Sequence, residues 1–514
     1  MTSPIIERIN KFIEETPDKE ALIFLDQKMN YKELGDKVNN LSFALNKKGV
    51  TQGDHIGVVL PNGIEFVLMM LAAANLGAAI VPHNTSLNAK TLSNAFKASD
   101  VNHYIIWHSL IKEVQQKIGQ SKSNSLWVSV GQHNEGQHKE QTTHFNELLK
   151  ATNNYSLGTY TVDKEQPYIF TMTSGSTGSP KPIVLSQACK IARADAAIEL
   201  YGITATDITL TATPLYHSLA ERLVLLPLIS GGTSIIMAGF SPEQWFTTIE
   251  RYNVSFTIAV SSQLKTINDQ LSNVNYDLSS LRCLVSSSER LPLRLKERLL
   301  EKLKCEFHEC YGASEVAIIS NLDQAQAQNK LASVGKAITG VDITILDDNG
   351  NKLPNGTIGE IACKTPMLFS GYFRQADKTK ASMVDGYFLT GDLGKLDNES
   401  FLYFCGRKKE IIITGGINVY PKDIEELLLQ HPNIDEVAVI PLPDNSLGEM
   451  ITALIVSKRP INPRELQRLC AKELADFQQP RKYIFLEYFP KNALGKVMKP
   501  TLINNLSQSI ENIS

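Results

Sequence analysis

At 514 residues the chain is about 3 to 4 times the usual length of one domain, and its 43% hydrophobic and 20% charged residues are those of a soluble globular protein, which excludes a disordered, collagenous or coiled-coil chain. Its 51 basic and 54 acidic residues leave a formal charge of -3, so there is no chain-wide basic field to hold nucleic acid or an anionic membrane. The 7 cysteines form neither a disulfide framework nor a paired zinc motif and read as reduced thiols; with an opening, MTSPIIERINKFIEETPDKE, that lacks the apolar run of a secretory signal, they predict a cytoplasmic protein.

Residues 1 to about 165 alternate helical and strand patterns. YKELGDKVNNLSFALN (residues 31–46) sets apolar residues at helical spacing, and HIGVVLP (residues 55–61) predicts a short buried strand closed by proline. FVLMMLAAANLGAAIVP (residues 66–82) falls short of a membrane span and carries Asn75 and Gly77, so it predicts a buried helix running into a strand. Between Gln120 and Gln141 polar and small residues dominate, which predicts a surface loop around one strand, LWVSV. From Gln166 the alternation resumes with YIFTMT, ITLTATP, TSIIMAG, VSFTIAV and LRCLVSS, several far enough apart for a crossover helix, predicting a second α/β layer. After Leu331 come short strands with Asp-Asn-Gly and Pro-Asn-Gly turns, a small β unit. A charged cluster, GRKKE, then precedes a mixed tail of about a hundred residues, which puts a domain boundary at about Lys408.

The segment richest in chemistry is TMTSGSTGSPKP (residues 171–182). After a strand-like YIF it presents Thr173, Ser174, Gly175, Ser176, Thr177 and Gly178, followed by Lys181. Glycines admit a ligand close to the backbone, hydroxyls and amides donate to phosphate oxygens, and the lysine adds a cation. It is not a Walker A loop, because Pro180 and Pro182 stand where that loop needs Gly and Ser or Thr. On composition alone it is a phosphate cradle or a Ser/Gly-rich surface turn.

Further segments stand at long separations: YGASE (residues 311–315), GYFLTGD (386–392), GRKKEIIITGGINVYP (406–421) and NALGK ending at Lys496, together with YKEL (31–34), Gly53-Asp54 and the stretch from Gly77 to Pro82. Their order resembles the adenylate-forming superfamily of acyl-CoA synthetases, aryl-acid ligases, luciferases and peptide-synthetase adenylation domains. The resemblance covers nearly the whole chain. It implies an α/β fold with a large N-terminal domain (1–407) of two α/β layers (1–165 and 166–330) plus a small β-barrel-like unit (331–407), and a mobile, smaller α+β C-terminal domain (408–514) that rotates between two half-reactions. The reactants it implies are ATP, Mg2+, a small-molecule carboxylic acid and coenzyme A.

Residue by residue, the resemblance implies that the loop from Thr173 to Gly178 with Lys181 cradles pyrophosphate and that Glu315 ligates magnesium, with Ser314 keeping the hydroxyl of the commoner Thr. Ser287, Ser288, Tyr311 and Gly312 would meet adenine, Asp392 would accept the ribose hydroxyls, and Arg407 would support the sugar. Lys496 would be the mobile lysine that reaches the substrate carboxylate and the α-phosphate, and His217 would sit beside the acyl pocket. Gly415 and Gly416 would line the pantetheine tunnel, and Lys409 would be the hinge. Outside their motifs Glu315 and Lys409 read as solvated charges, and Tyr311 and His217 as core residues. Tyr216, His217 and Ser218 stand where amino-acid-adenylating members usually carry an acid, so the acid expected is fatty or aryl, without a free α-amino group. The same tunnel would serve a carrier-protein phosphopantetheine, which is an alternative acceptor. Pro182, Gln187 and the run Ser286-Ser287-Ser288-Glu289-Arg290 depart from the commoner pattern, and the last leaves a non-catalytic nucleotide-binding member as a second alternative.

Overall fold

The computed structural model describes residues 3–119, 124–131, 142–150, 161–173, 181–271, 275–492 and 495–511. Helix Ile64–Leu76, followed by strand Ala79–Pro82, lies at the centre of the N-terminal part, and every residue from 66 to 76 is buried. A helix apolar on all sides needs a layer against each face. Here one apolar cluster joins it to Ile56, Ile80 and Ile105 of one sheet and to Ile236, Phe256 and Val285 of another. Its one buried amide, Asn75, donates to Ser42 Oγ at 3.2 Å on helix Tyr31–Lys47.

The first sheet has eight strands, in spatial order Gly371–Tyr372, Lys181–Ser186, Pro167–Thr173, Ala79–Pro82, His55–Val59, His103–Trp107, Trp127–Val130 and Thr142–His144. The second has nine: Lys336–Ala337, Ser320–Asp323, Glu306–Tyr311, Cys283–Ser287, Phe256–Val260, Ile208–Thr211, Thr233–Ile236, Glu20–Phe24 and Gln27–Asn30. The layers are therefore not divided between residues 165 and 166 as expected. Strand Glu20–Phe24 pairs Leu22 with Ser234 in the second sheet, and Pro167–Thr173 sets Ile169 beside Ile80 in the first. Periodicity reports the face that a strand buries, whereas the neighbour it takes is settled by long-range pairing.

A third, antiparallel sheet is built from Asp342–Leu346, Gly359–Lys364, Tyr387–Leu396 and Met383–Val384, with Leu402–Arg407 on Tyr387–Leu396. The Asp-Asn-Gly signal is its first turn, where Asp347 Oδ1 accepts from the backbone of Asn349 and Asn351. The C-terminal sheet (Ile417–Val419, Ile412–Thr414, Gly448–Ser457, Ile434–Asp444 and Lys482–Phe485) packs helices Pro421–Leu428 and Pro463–Glu473 through Val419, Ile424, Leu466 and Cys470. Ion pairs Lys265–Asp435, at 2.8 Å, and Arg290–Glu426 join it to the N-terminal part. Among the described residues no helix is long and apolar enough to cross a membrane. Strands Phe256–Val260, Cys283–Ser287 and Glu306–Tyr311 run parallel, and their carboxyl ends form the edge where α/β sheets bind ligands.

Candidate active site

Strand Glu306–Tyr311 delivers Tyr311 to that edge, and the chain turns at once. A Cβ on Gly312 would run into the Ala317 carbonyl, so only glycine fits the turn. Arg193, 2% exposed on helix Gln187–Tyr201, pins the rest of the turn: Nε donates to the Met367 carbonyl at 3.1 Å, and the two terminal nitrogens donate to the carbonyls of Ser314 at 3.0 Å and Glu315 at 2.8 Å. A guanidinium can do this because it offers five donors in a rigid fork. The Glu315 carboxylate accepts the Tyr372 hydroxyl at 2.9 Å, and Lys181 Nζ lies 5.9 Å from the centre of the same ring. Burial and the neighbouring Glu315 push the Tyr372 phenol up, which keeps it a donor. One aromatic thus links the loop lysine to the acid, and that acid's oxygens suit a hard divalent cation.

Asp392 and Arg407 are cross-strand partners. Asp392 is 3% exposed, and its Oδ2 accepts the Tyr311 hydroxyl at 2.9 Å. Arg407 Nε stands 2.9 Å from Oδ1, out of line for a hydrogen bond, so Oδ1 is a buried acceptor left unfilled among the described residues. Burial raises the Asp392 carboxyl, while Arg407, the Tyr311 bond and Lys496 hold it down.

Lys496 arrives from the far end of the chain. Its backbone N–H donates to Asn492 Oδ1 at 3.0 Å, and the Asn492 N–H returns to the Lys496 carbonyl at 2.9 Å. Gly495, at φ +77°, lies so close to Ser262 that a Cβ would overlap its side chain. This contact seats a half-buried Lys496 in the site. Burial first and Arg407 next lower its ammonium, and the carboxylates of Glu289, Glu410 and Asp392 oppose them.

Ser287 ends its strand, and Ser288 follows, exposed, at φ +77°. Beyond it the two charges separate: Glu289 faces the field of Lys496, whereas Arg290 turns to the Ala332 carbonyl at 2.9 Å and to Glu426. His217 precedes helix Ser218–Ser230, its buried Nε2 has no hydrogen-bond partner among the described residues, and burial lowers its pKa to about 4. Lys409 is exposed on the turn Lys408–Glu410, and Gly415 and Gly416 make the tight turn between Ile412–Thr414 and Ile417–Val419; none of the three joins the cluster. Ser174, Gly175, Ser176, Thr177 and Gly178 lie outside the described residues, as do two positions of NALGK, while the flanking Thr173 and Lys181 are cross-strand partners.

Sequence reasoning passed over Arg193, Tyr372, Glu410 and Ser262. Arg193 had a signal, a charge four residues from Cys189 and from Ala197 on a buried helix face. Tyr372 had none.

Two family models match the chain: AMP-binding enzyme over residues 9–373, and AMP-binding enzyme C-terminal domain over residues 423–496. The chain is 29% identical over 487 residues to indoleacetate–CoA ligase of Aromatoleum aromaticum, covering 94% of each. It is 28% identical over 488 residues to 2-succinylbenzoate–CoA ligase of Bacillus cereus, covering 95% of this chain and 96% of that one. Among solved structures, O-succinylbenzoate coenzyme A synthetase from Bacillus subtilis in complex with ATP and magnesium ion matches with a TM-score of 0.85 at 29% identity, covering 96% of this chain and 98% of the other.

Proposed function

We propose that this chain, which belongs to the AMP-binding enzyme family, is an acid–thiol ligase that joins a carboxylic acid to the AMP moiety of ATP, releases pyrophosphate, and passes the acyl group to coenzyme A. One observation carries the reading: Lys496, from the C-terminal end, lies in the electrostatic field of Asp392 and Arg407 beside the Tyr311 edge.

In the first step a substrate carboxylate oxygen attacks the α-phosphorus and the bond to pyrophosphate breaks. Negative charge gathers on the α-phosphoryl oxygens, and the Lys496 ammonium neutralises it in a half-buried setting where each donor counts for more than in water. Asp392 takes the ribose hydroxyls on its open acceptor, held by Tyr311 and Arg407, with Ser287, Ser288 and Gly312 toward the base. The loop from Thr173 to Gly178 and Lys181 grip the departing phosphates. Glu315, beside Ser314, would hold Mg2+, which would supply screening of phosphate charge. In the second step the thiol sulfur attacks the acyl carbon and AMP leaves, after residues 408–514 turn about Lys409 to bring Gly415 and Gly416 to the thiol's path. The passage from strand Leu402–Arg407 into the turn Lys408–Glu410 supports a hinge there.

The acid is aryl or fatty, because Tyr216, His217 and Ser218 offer no carboxylate for a substrate ammonium, and the names of the relatives favour aryl. The 7 unpaired cysteines support a reducing, cytoplasmic setting. A pyrophosphate-release screen over aryl, fatty and amino acids, with free coenzyme A and a holo-carrier protein offered side by side, tests the reading. Turnover with an aryl acid and coenzyme A is expected. Silence across the panel while ATP still binds would overturn it.

A further inference from the structure

At the opposite end of two of these strands stands a second cluster of chemically capable side chains. Cys283 opens strand Cys283–Ser287, Glu306 opens strand Glu306–Tyr311, and the parallel register sets them side by side. His308, two residues after Glu306, shares its face. A sulfur, a carboxylate oxygen and a ring nitrogen from the three lie within 4.8 Å of one another. Tyr311 is five residues further along, about 16 Å at the rise of a strand, so this cluster is no part of the adenylate site.

The ring is set up to ligate. His308 is 3% exposed, and its Nε2 stands 3.1 Å from Glu306 Oε1 but off the line of a hydrogen bond, leaving Nε2 without a hydrogen-bond partner among the described residues. The Asn321 amide meets Nδ1 at 2.9 Å, and the amide's Oδ1 is itself unpartnered among the described residues. With that amide turned over, Oδ1 accepts the Nδ1 proton and the Nε2 lone pair faces Cys283 and Glu306, as in metal-binding histidines whose other nitrogen is held by an acceptor. Arg282, adjacent in sequence, is balanced by Asp207, to both of whose oxygens its guanidinium is tied, along with the carbonyls of Tyr201 and Gly202.

We propose that Cys283, Glu306 and His308 bind one divalent transition ion of borderline softness, zinc being the type. Thiolate, imidazole and carboxylate make three ligands of a tetrahedral site, and the Glu306 side chain, 55% exposed, leaves the fourth position to water. A hard ion such as magnesium has no use for the sulfur. On binding, the Cys283 thiol gives up its proton to solvent, and the ion staples two neighbouring strands whose far ends carry Ser287 and Tyr311.

The test uses the intact enzyme, stripped with a chelator and then dialysed against zinc alone or magnesium alone, with retained metal counted by atomic emission. One zinc per chain and no magnesium is expected, with a raised melting temperature. Cobalt in place of zinc should give a thiolate charge-transfer band. Cys283→Ser should lose both the ion and the band. Glu306→Gln, at an exposed side chain that folding does not need, should weaken zinc retention at least about tenfold. Failure of the wild type to retain zinc, or retention unchanged in Glu306→Gln and in folded Cys283→Ser, overturns the proposal.

Discussion

The Tyr311 hydroxyl donates to Asp392 Oδ2 at 2.9 Å, and this bond both fixes the orientation of a carboxylate that is 3% exposed and helps to keep it ionised. Loss of a hydrogen bond to a charged partner costs about 1.5–3 kcal/mol. Tyr311→Phe should therefore raise the KM for ATP by about ten- to a hundredfold while the KM for the acid stays near its original value. Steady-state pyrophosphate release over both substrates reads the difference, and equal rises in the two constants would refute the assignment.

Lys496→Ala should slow adenylate formation by about 10²–10³, the usual loss for one transition-state donor. Thioester formation from a supplied acyl-adenylate should be nearly unaffected, since only the first step builds charge on the α-phosphate. Single-turnover measurement of each half-reaction separates the two, and equal loss in both would mean that Lys496 has another role.

Arg193 holds three carbonyls around Glu315. Arg193→Met should leave the Ser314 carbonyl without a donor, at about 1–3 kcal/mol, while the Glu315 carbonyl keeps the Phe369 N–H and the Met367 carbonyl keeps the Cys189 thiol; the melting temperature should fall and the magnesium concentration needed for half-maximal rate should rise. Arg193→Lys should recover little, because a single ammonium cannot reproduce the fork. Full recovery by lysine would show that charge alone matters.

Gly495 sits at φ +77° against Ser262. Gly495→Ala should impair adenylation through two separate costs, about 1–2 kcal/mol of backbone strain and the overlap with the serine. The double variant Gly495→Ala with Ser262→Gly removes only the overlap, so partial rescue is expected. No rescue in the adenylation rate would place the loop elsewhere during that step.

The Nε2 atoms of His217 and His83 are buried and have no partner among the described residues, and the pKa of each ring is lowered from 6.5 to about 4. Between those values the unfolded chain binds the extra proton and the folded chain does not, so stability is complete above pH 6.5 and falls as the pH drops toward 4. The loss approaches about 3 kcal/mol per ring. Melting curves from pH 7.5 down to 4.5 should show it, with a flatter slope in His217→Asn; an unaltered slope would mean that the ring already finds a partner.

Much of the fold was legible because its signals are local. Residues 66–76 carry Asn75 as their single polar side chain, and a helix with no polar face has nowhere to go but between layers, where Ile64–Leu76 lies. The Asp-Asn-Gly turn was equally plain, since Asp347 bonds its own next residues. The strands that the layers exchange were not legible, because Leu22 meets Ser234 across more than two hundred residues.

The sequence by itself determined which chemical groups the protein can bring to a reaction: the loop lysine, the acids Glu315 and Asp392, and the ammonium of Lys496, each carried by a short motif whose residue types are the chemistry. Only the tertiary structure decided what stands beside each group. Tyr372 between Lys181 and Glu315, Arg193 beneath the YGASE turn, Ser262 against Gly495 and the meeting of Cys283 with Glu306 and His308 are all encounters between segments remote in the chain. Such encounters arise from the packing of whole layers, and a run of neighbouring residues encodes only the face that it hides from water.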